Sequence, residues 1–149
     1  MAQDILIVDD EADIRDLIGG LLEDEGFEAR YAAEADGALG AIRQRKPALA
    51  ILDVWLQGSR LDGIELLDEI RNADPDLPVV VISGHGTIET AVAAIRKGAY
   101  DFIEKPFKSD KLLVTVERAL ETSRLRRENA ELRAKSEVHS DLIGQSQPA

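Results

Sequence analysis

Several apolar runs in this chain stop at side chains able to act together: Asp9-Asp10-Glu11 after Ile5-Leu6-Ile7-Val8, Asp53 after Leu49-Ala50-Ile51-Leu52, Ser83 after Val79 to Ile82, and Lys105-Pro106 just beyond Phe102-Ile103. Singly, each has a bland explanation, since Asp9, Asp10 or Glu11 can cap a helix, Ser83 can make a turn and Lys105 can be solvated. Jointly they describe a site. Two carboxylates about 5 Å apart repel by roughly 3 kcal/mol at an effective dielectric near 20, so such a cluster calls for a cation. With no cysteine and only 2 histidines in the chain, the oxygen-rich donor set favours Mg²⁺ over zinc. Mg²⁺ keeps several waters and bridges carboxylates to phosphates, which leaves room for a phosphoryl group. A carboxylate beside such an ion can act as a nucleophile and become an aspartyl phosphate. Lys105 would then pair with the phosphoryl oxygens as a point charge, and Ser83 would donate a hydrogen bond.

These groups must be carried by elements that bring the run ends to one rim. The strand candidates are Ile5 to Val8, Glu28 to Ala32, Leu49 to Leu52, Val79 to Ile82 and Asp101 to Ile103. Most are continuously apolar, as strands of a parallel sheet buried on both faces should be. Helical stripes alternate with them: Ile14, Leu17, Ile18, Leu21 and Leu22; Ala38, Leu39 and Ile42; Ile64, Leu67 and Ile70; Ile88, Ala91, Val92 and Ile95; and Leu112, Leu113, Val116 and Leu120. Gly26 and Gly98 stand where left-handed helix ends are expected, and Ser109 or Asp110 is placed to cap the last helix. Five βα units predict an open, doubly wound α/β sheet, whose ligands bind outside the carboxyl ends of the strands.

Composition narrows the classes of function. A chain of 149 residues, 44% of them hydrophobic, suffices for one domain and a tail. Residues 1–122 hold 13 basic and 25 acidic groups, a net −12, and residues 123–149 come to +1. So acidic a body opposes direct binding to nucleic acid. No secretory leader or apolar run of membrane-spanning length is visible, so a soluble, cytoplasmic protein is expected. The last helical pattern continues through Arg124 to Lys135 without Gly or Pro, which predicts an extended helix. Leu125, Asn129 and Leu132 suit the seam of a short coiled coil as well as a solvated linker. Beyond Ser136 the pattern fades into polar residues, as in a chain that is cut rather than completed.

As a set, Ile-Leu-Ile-Val-Asp9-Asp10-Glu11, Leu-Asp53-Val, Val-Ile-Ser83-Gly84-His85 and Tyr-Asp-Phe102-Ile-Glu-Lys105-Pro106-Phe107 resemble, in order and spacing, the receiver domains of two-component response regulators. The resemblance covers about residues 3–122 and implies a flavodoxin-like five-stranded sheet of order 2-1-3-4-5 with five helices. It also implies that Asp53 is the phospho-acceptor. By the same resemblance Asp10 is the main carboxylate for Mg²⁺, Asp9 its neighbour acting through water, and the Trp55 backbone carbonyl a further ligand. Ser83 and Lys105 match the groups that grip the phosphoryl oxygens, and Phe102 the aromatic that changes rotamer on switching. The Lys105-Pro106 bond is expected to be cis. The implied partners are a sensor histidine kinase and a second copy of the chain, docked through the face of helix four, strand five and helix five from Thr87 to Leu120, with or without the linker helix.

The chain departs from that pattern after the acceptor. Position 57 is Gln where a proline is usual, and the matching glycine, Gly63, follows Asp53 by 10 positions, two more than usual, which points to an insertion around Gly58 to Leu61. His85 has the option of orienting a water, although a lone exposed histidine is more often just solvated. Asp141-Leu-Ile-Gly144-Gln-Ser146 resembles the opening of the AAA+ module in NtrC-like sigma-54-dependent transcription regulators. This divides the chain into a receiver at 1–122, a helical linker at 123–138 and the start of a truncated AAA+ domain at 139–149. No Walker-type loop is present, so ATP hydrolysis by this segment is not expected. Two other readings compete. A Mg²⁺-dependent phosphatase with an aspartate nucleophile usually carries a second Asp where Trp55 stands, and a receiver serving only as a protein-interaction module would never be phosphorylated. A dinucleotide site is excluded, because Val8-Asp9-Asp10-Glu11 occupies the place of a Gly-rich turn.

Overall fold

The computed structural model describes residues 3–55, 62–84 and 88–144, with side chains to residue 126 and at residue 128. Its elements alternate: β1 (Asp4–Val8), α1 (Ala12–Asp24), β2 (Glu28–Ala32), α2 (Ala35–Gln44), β3 (Leu49–Asp53), α3 (Gly63–Ala73), β4 (Val79–Ser83), α4 (Ile88–Arg96), β5 (Asp101–Glu104) and α5 (Ser109–Gly144). The strands form one parallel sheet in the order β2-β1-β3-β4-β5. This is the flavodoxin-like arrangement expected, with the last helix extended. The strand order reverses between β1 and β3, so the rim at their carboxyl ends is where a ligand site belongs.

Both faces of the sheet are buried at the central strands β1, β3 and β4, which is why these read as nearly unbroken apolar runs, whereas the edge strands β2 and β5 are partly exposed. On one face Leu6, Val8, Leu52 and Val81 pack under α2, α3 and α4 with Ile42, Leu66, Leu67 and Ile70. On the other, Ile5, Ile7, Ile51 and Ile82 meet Ile18 and Leu22 of α1 and Leu112, Val116 and Leu120 of α5. Each such side chain contributes about 1.5–3 kcal/mol on burial. That surplus holds polar groups at the strand ends against their own desolvation and repulsion.

Turn chemistry fixes the element lengths. Gly26 and Gly98 adopt φ of 90° and 106°. The following amides, of Phe27 and Ala99, reach back to the Leu22 and Ala94 carbonyls and close α1 and α4. A capping box between Asp62 and Glu65 starts α3, and the Glu34 carboxylate caps α2 through the Asp36 and Gly37 amides. The edge strand β2 is tied down by Arg30, whose guanidinium donates to Asp4 Oδ2 at 2.9 Å and to the Ala41 and Arg45 carbonyls at 2.7 Å each.

Three expectations are corrected. Ser109 is the first residue of α5 and Asp110 lies in its first turn, so neither precedes the helix as a cap. Leu17 is 51% exposed despite sharing a helical stripe with buried Ile18 and Leu22. The α4 stripe faces outward: Ile88 is 83%, Val92 43% and Ile95 46% exposed, while the small Ala94 is buried. Periodicity identifies a uniform face of a helix, and here the face laid on the sheet is the one with small side chains. The helix α5 runs to Gly144, past Ser136 where the sequence pattern fades. Within it, the Ser123 hydroxyl donates to the Asp76 carbonyl at 3.3 Å and so anchors the helix to the segment before β4. Leu125 is half exposed. The side chains of Asn129 and Leu132, the Gly58 to Leu61 insertion, Gln57 and His85 lie outside the described residues.

Candidate functional site

Hydrophobic strands deliver the polar groups to the rim in order. Asp53 and Ser83 are the last residues of β3 and β4, and Asp9 follows β1 directly. Asp9 and Ser83 are fully buried and Asp53 is 3% exposed, whereas Asp10 is half buried. Backbone ladders fix these ends relative to one another. Asp53 is in register with Ile82, and Ser83 with Glu104. The Val54 amide continues the ladder to the Ile82 carbonyl at 3.0 Å, and the Lys105 amide donates to the Ser83 carbonyl at 2.8 Å.

The carboxylates of Asp9, Asp10 and Asp53 each place an oxygen within 4.8 Å of the others. Lys105 Nζ bridges two of them, at 2.9 Å from Asp9 Oδ2 and 3.1 Å from Asp53 Oδ2. Their remaining oxygens are oriented by the backbone: the Glu11 amide donates to Asp9 Oδ1 at 2.9 Å and the Trp55 amide to Asp53 Oδ1 at 3.2 Å. The capping explanation fails for Glu11, which is the N-cap of α1 but whose side chain caps nothing, and Asp9 is engaged by Lys105. The bond from Lys105 to Pro106 is cis.

Electrostatics match this geometry. Burial and the Asp9 charge raise the Asp53 carboxyl above its ordinary 3.8, and Lys105 with the Trp55 amide offset this only in part. Burial by itself would lower the Lys105 ammonium, but the hydrogen bond to Asp9 and the charges of Asp53 and Asp9 outweigh it, and its pKa is raised. One ammonium, paired with two of three clustered carboxylates, leaves the described cluster negative. An oxygen-only donor set with surplus negative charge fits a hard divalent cation, so the residues present suit Mg²⁺.

Of the residues singled out from sequence, Asp9, Asp10, Asp53 and Lys105 meet directly, and Ser83 is buried at the neighbouring strand end. The Trp55 amide joins the cluster while its side chain stays 52% exposed. Phe102 is half buried against the core on the α2, α3 and α4 face. Sequence reasoning missed Arg15, whose Nη1 donates to the Asp9 carbonyl at 2.6 Å and braces the first loop from α1. The available signal was its place one turn after Glu11, confirmed by its amide bonding the Glu11 carbonyl.

An acidic rim with one bridging lysine thus lies at the carboxyl ends of the strands, where the order of a doubly wound sheet reverses. The sequence profile of the family described as "Response regulator receiver domain" matches residues 5–117, and the chain belongs to that family. Among its relatives, the nitrogen assimilation regulatory protein NtrX of Azorhizobium caulinodans is 64% identical over 146 residues, covering 98% of this chain and 32% of that protein. The crystal structure of the receiver domain of NtrX from Brucella abortus superposes with a TM-score of 0.78 at 69% identity, covering 80% of this chain and 99% of that one. A solution structure of the beryllofluoride-activated NtrC4 receiver domain dimer is similar at TM-score 0.76 and 39% identity, covering 80% of this chain and 98% of that one. The chain thus spans about a third of the length of the curated relative that it matches. Among the described residues, no helix is long and apolar enough to cross a membrane.

Proposed function

We propose that this receiver is a cytoplasmic signalling switch that accepts a phosphoryl group from a sensor histidine kinase on Asp53 and controls a transcription-regulating portion of a longer protein. The supporting observation is the bridge from Lys105 to both Asp9 and Asp53, beside a third carboxylate. Asp53 supplies the nucleophilic oxygen: a new P–O bond forms to its carboxylate as the P–N bond of the phosphohistidine breaks, and the imidazole leaves with the electron pair. Asp9, Asp10, Asp53 and the Trp55 backbone carbonyl would hold Mg²⁺, which would neutralise phosphoryl charge there. Lys105 exchanges carboxylate partners for phosphoryl oxygens, and Ser83 donates its hydroxyl to them. Phosphorylation adds roughly −1.5 to −2 charges to a rim already negative, so both cations are needed. Phe102 then changes rotamer behind the moving hydroxyl and relays the event to α4, β5 and α5.

Incubation with Mg²⁺ and acetyl phosphate tests this reading. One acid-stable, base-labile phosphoryl group per chain is expected, with acetate released. Repeated turnover of phosphate esters would favour the phosphatase reading, and no uptake would favour an interaction-only module.

Trp55 bears on the lifetime of that phosphoryl group. It follows the acceptor by two residues and is 52% exposed, and a bulky apolar group at that position would restrict the attacking water. Trp55→Asn is expected to speed loss of the phosphoryl group severalfold, measured by decay of the phosphoprotein. An unchanged or slower decay rejects the role.

The output surface follows from the corrected α4 stripe. Ile88, Val92 and Ile95 of α4 and Val114 of α5, the helices before and after β5 in the chain, leave large apolar side chains at solvent. A homodimer through this face, with the linker part of α5 alongside, accounts for them, in keeping with the dimer formed by the NtrC4 receiver domain. Ile95→Glu is expected to keep phosphoryl uptake while abolishing phosphorylation-dependent dimerisation in sedimentation. A dimer of unaltered strength places the interface elsewhere. The segment from 139 onward is the start of an AAA+ module in this proposal, and residues 123–138 are the helical connection to it.

A further inference from the structure

The helix α3 begins on top of the acceptor segment. Gly63, its first residue, is buried and donates its amide to the Val54 carbonyl at 2.8 Å. A Cβ at this position would fall on the Asp53 carbonyl oxygen, 2.6 Å from Val54 Cα and 2.8 Å from the Asp53 carbonyl carbon. Those contacts are backbone atoms that cannot rotate away. The same stretch is held on its other side by the Val54 amide on Ile82 and by the Trp55 amide on the Asp53 carboxylate. The Asp53–Trp55 backbone is thereby clamped between β4 and the first turn of α3. The clamped backbone carries two groups at once, the Asp53 carboxylate and the Trp55 carbonyl.

We propose that Gly63 is a positioning residue for the acceptor site: its bare Cα lets α3 fix the Asp53–Trp55 backbone in the geometry that binds Mg²⁺. This inference rests on the phospho-acceptor reading above. Mg²⁺ demands near-ideal octahedral geometry at short distances, so a carbonyl or carboxylate displaced by a few tenths of an ångström binds it worse. A displacement near 1 Å at a reacting group costs rate by as much as about a hundredfold. Other positions supply the controls. Gly40 of α2 has open space where a Cβ would go, and Leu67 of α3 is fully buried in the core away from this contact.

The test is a Mg²⁺ titration of the metal-free chain, followed by Trp55 fluorescence and by calorimetry, with urea unfolding in chelator as the measure of stability. Gly63→Ala is expected to weaken Mg²⁺ binding at least about tenfold, a loss of about 1.4 kcal/mol. Gly40→Ala and the destabilised Leu67→Ala should stay within about twofold of the parent. Unaltered affinity in Gly63→Ala overturns the inference, as does an equal loss in Leu67→Ala, which would reduce Gly63 to a general contribution to folding. Should Gly63→Ala fail to fold, hydrogen exchange on the unmodified chain decides. Binding linkage is reciprocal, so Mg²⁺ must slow exchange of the Gly63 amide if that contact favours the binding geometry. Exchange unaffected by Mg²⁺ overturns the inference, while a parent chain that binds no Mg²⁺ overturns the phospho-acceptor reading itself and the inference with it.

Discussion

Asp53→Asn is expected to take up no phosphoryl group from acetyl phosphate or from a kinase, and yet to be more stable than its parent in metal-free buffer at pH 7. The first effect follows from removing the nucleophilic oxygen, since an amide is neither charged nor basic enough to attack phosphorus. The second follows from the sign of the Asp53 shift. Burial and the Asp9 charge raise its folded pKa above the ordinary 3.8. A carboxyl with a raised folded pKa favours the fold below the ordinary value, and that advantage is lost as pH rises through the folded value. At neutral pH the ionised group is therefore a burden that asparagine does not carry. Urea unfolding from pH 3 to 8 in chelator should show the parent losing stability relative to Asp53→Asn as pH climbs above about 4. A phosphorylated Asp53→Asn would move the acceptor elsewhere, and parallel pH profiles would refute the electrostatic account.

Lys105→Met is expected to have the largest effect on stability. Its side chain is 13% exposed, and its ammonium bridges Asp9 and Asp53, whose side chains are 0% and 5% exposed. Removing one partner of a buried ion pair while the other stays charged costs about 3–5 kcal/mol. The loss should appear in chelator and be largely reversed by Mg²⁺, because a divalent cation takes over neutralisation of the same carboxylates. Mg²⁺ should thus raise the urea midpoint of Lys105→Met more than that of the parent. Phosphoryl-dependent changes in the α4, β5 and α5 face should vanish in the variant even where Asp53 is still modified. Equal stability of variant and parent without metal, or an equal response to Mg²⁺, would show that Lys105 is not the counter-ion of this cluster.

The site could be read from sequence because buried parallel strands are continuously apolar. The first polar residue after each run then marks the sheet rim, and the observed β3 and β4 extend the sequence reading by one residue each, to Asp53 and Ser83 themselves. Helix orientation was less legible. A stripe such as Ile88, Val92 and Ile95 announces that a face will be covered, but not whether the sheet or another molecule covers it. A contact to a backbone carbonyl selects no partner residue type, so the grip of Arg15 on the Asp9 carbonyl was marked in sequence only by its place one turn after Glu11. Gly63 was visible only as a displaced glycine, and its role emerged once α3 was seen against the Asp53 peptide.

The single helix from Ser109 to Gly144 makes the domain a lever. Its 36 residues span about 54 Å at 1.5 Å per residue, with neither Gly nor Pro between Ser109 and Leu142 to act as a joint. Leu112, Val116 and Leu120 fasten its near end to the sheet, and Ser123 gives it a fulcrum on the Asp76 carbonyl. A tilt of about 5° at that fulcrum would carry the far end, roughly 30 Å away, through some 2–3 Å. A displacement at the rim end of the shaft, about 21 Å to the near side of that fulcrum, thus arrives at the far end enlarged about one and a half times, without any bond along the way having to break.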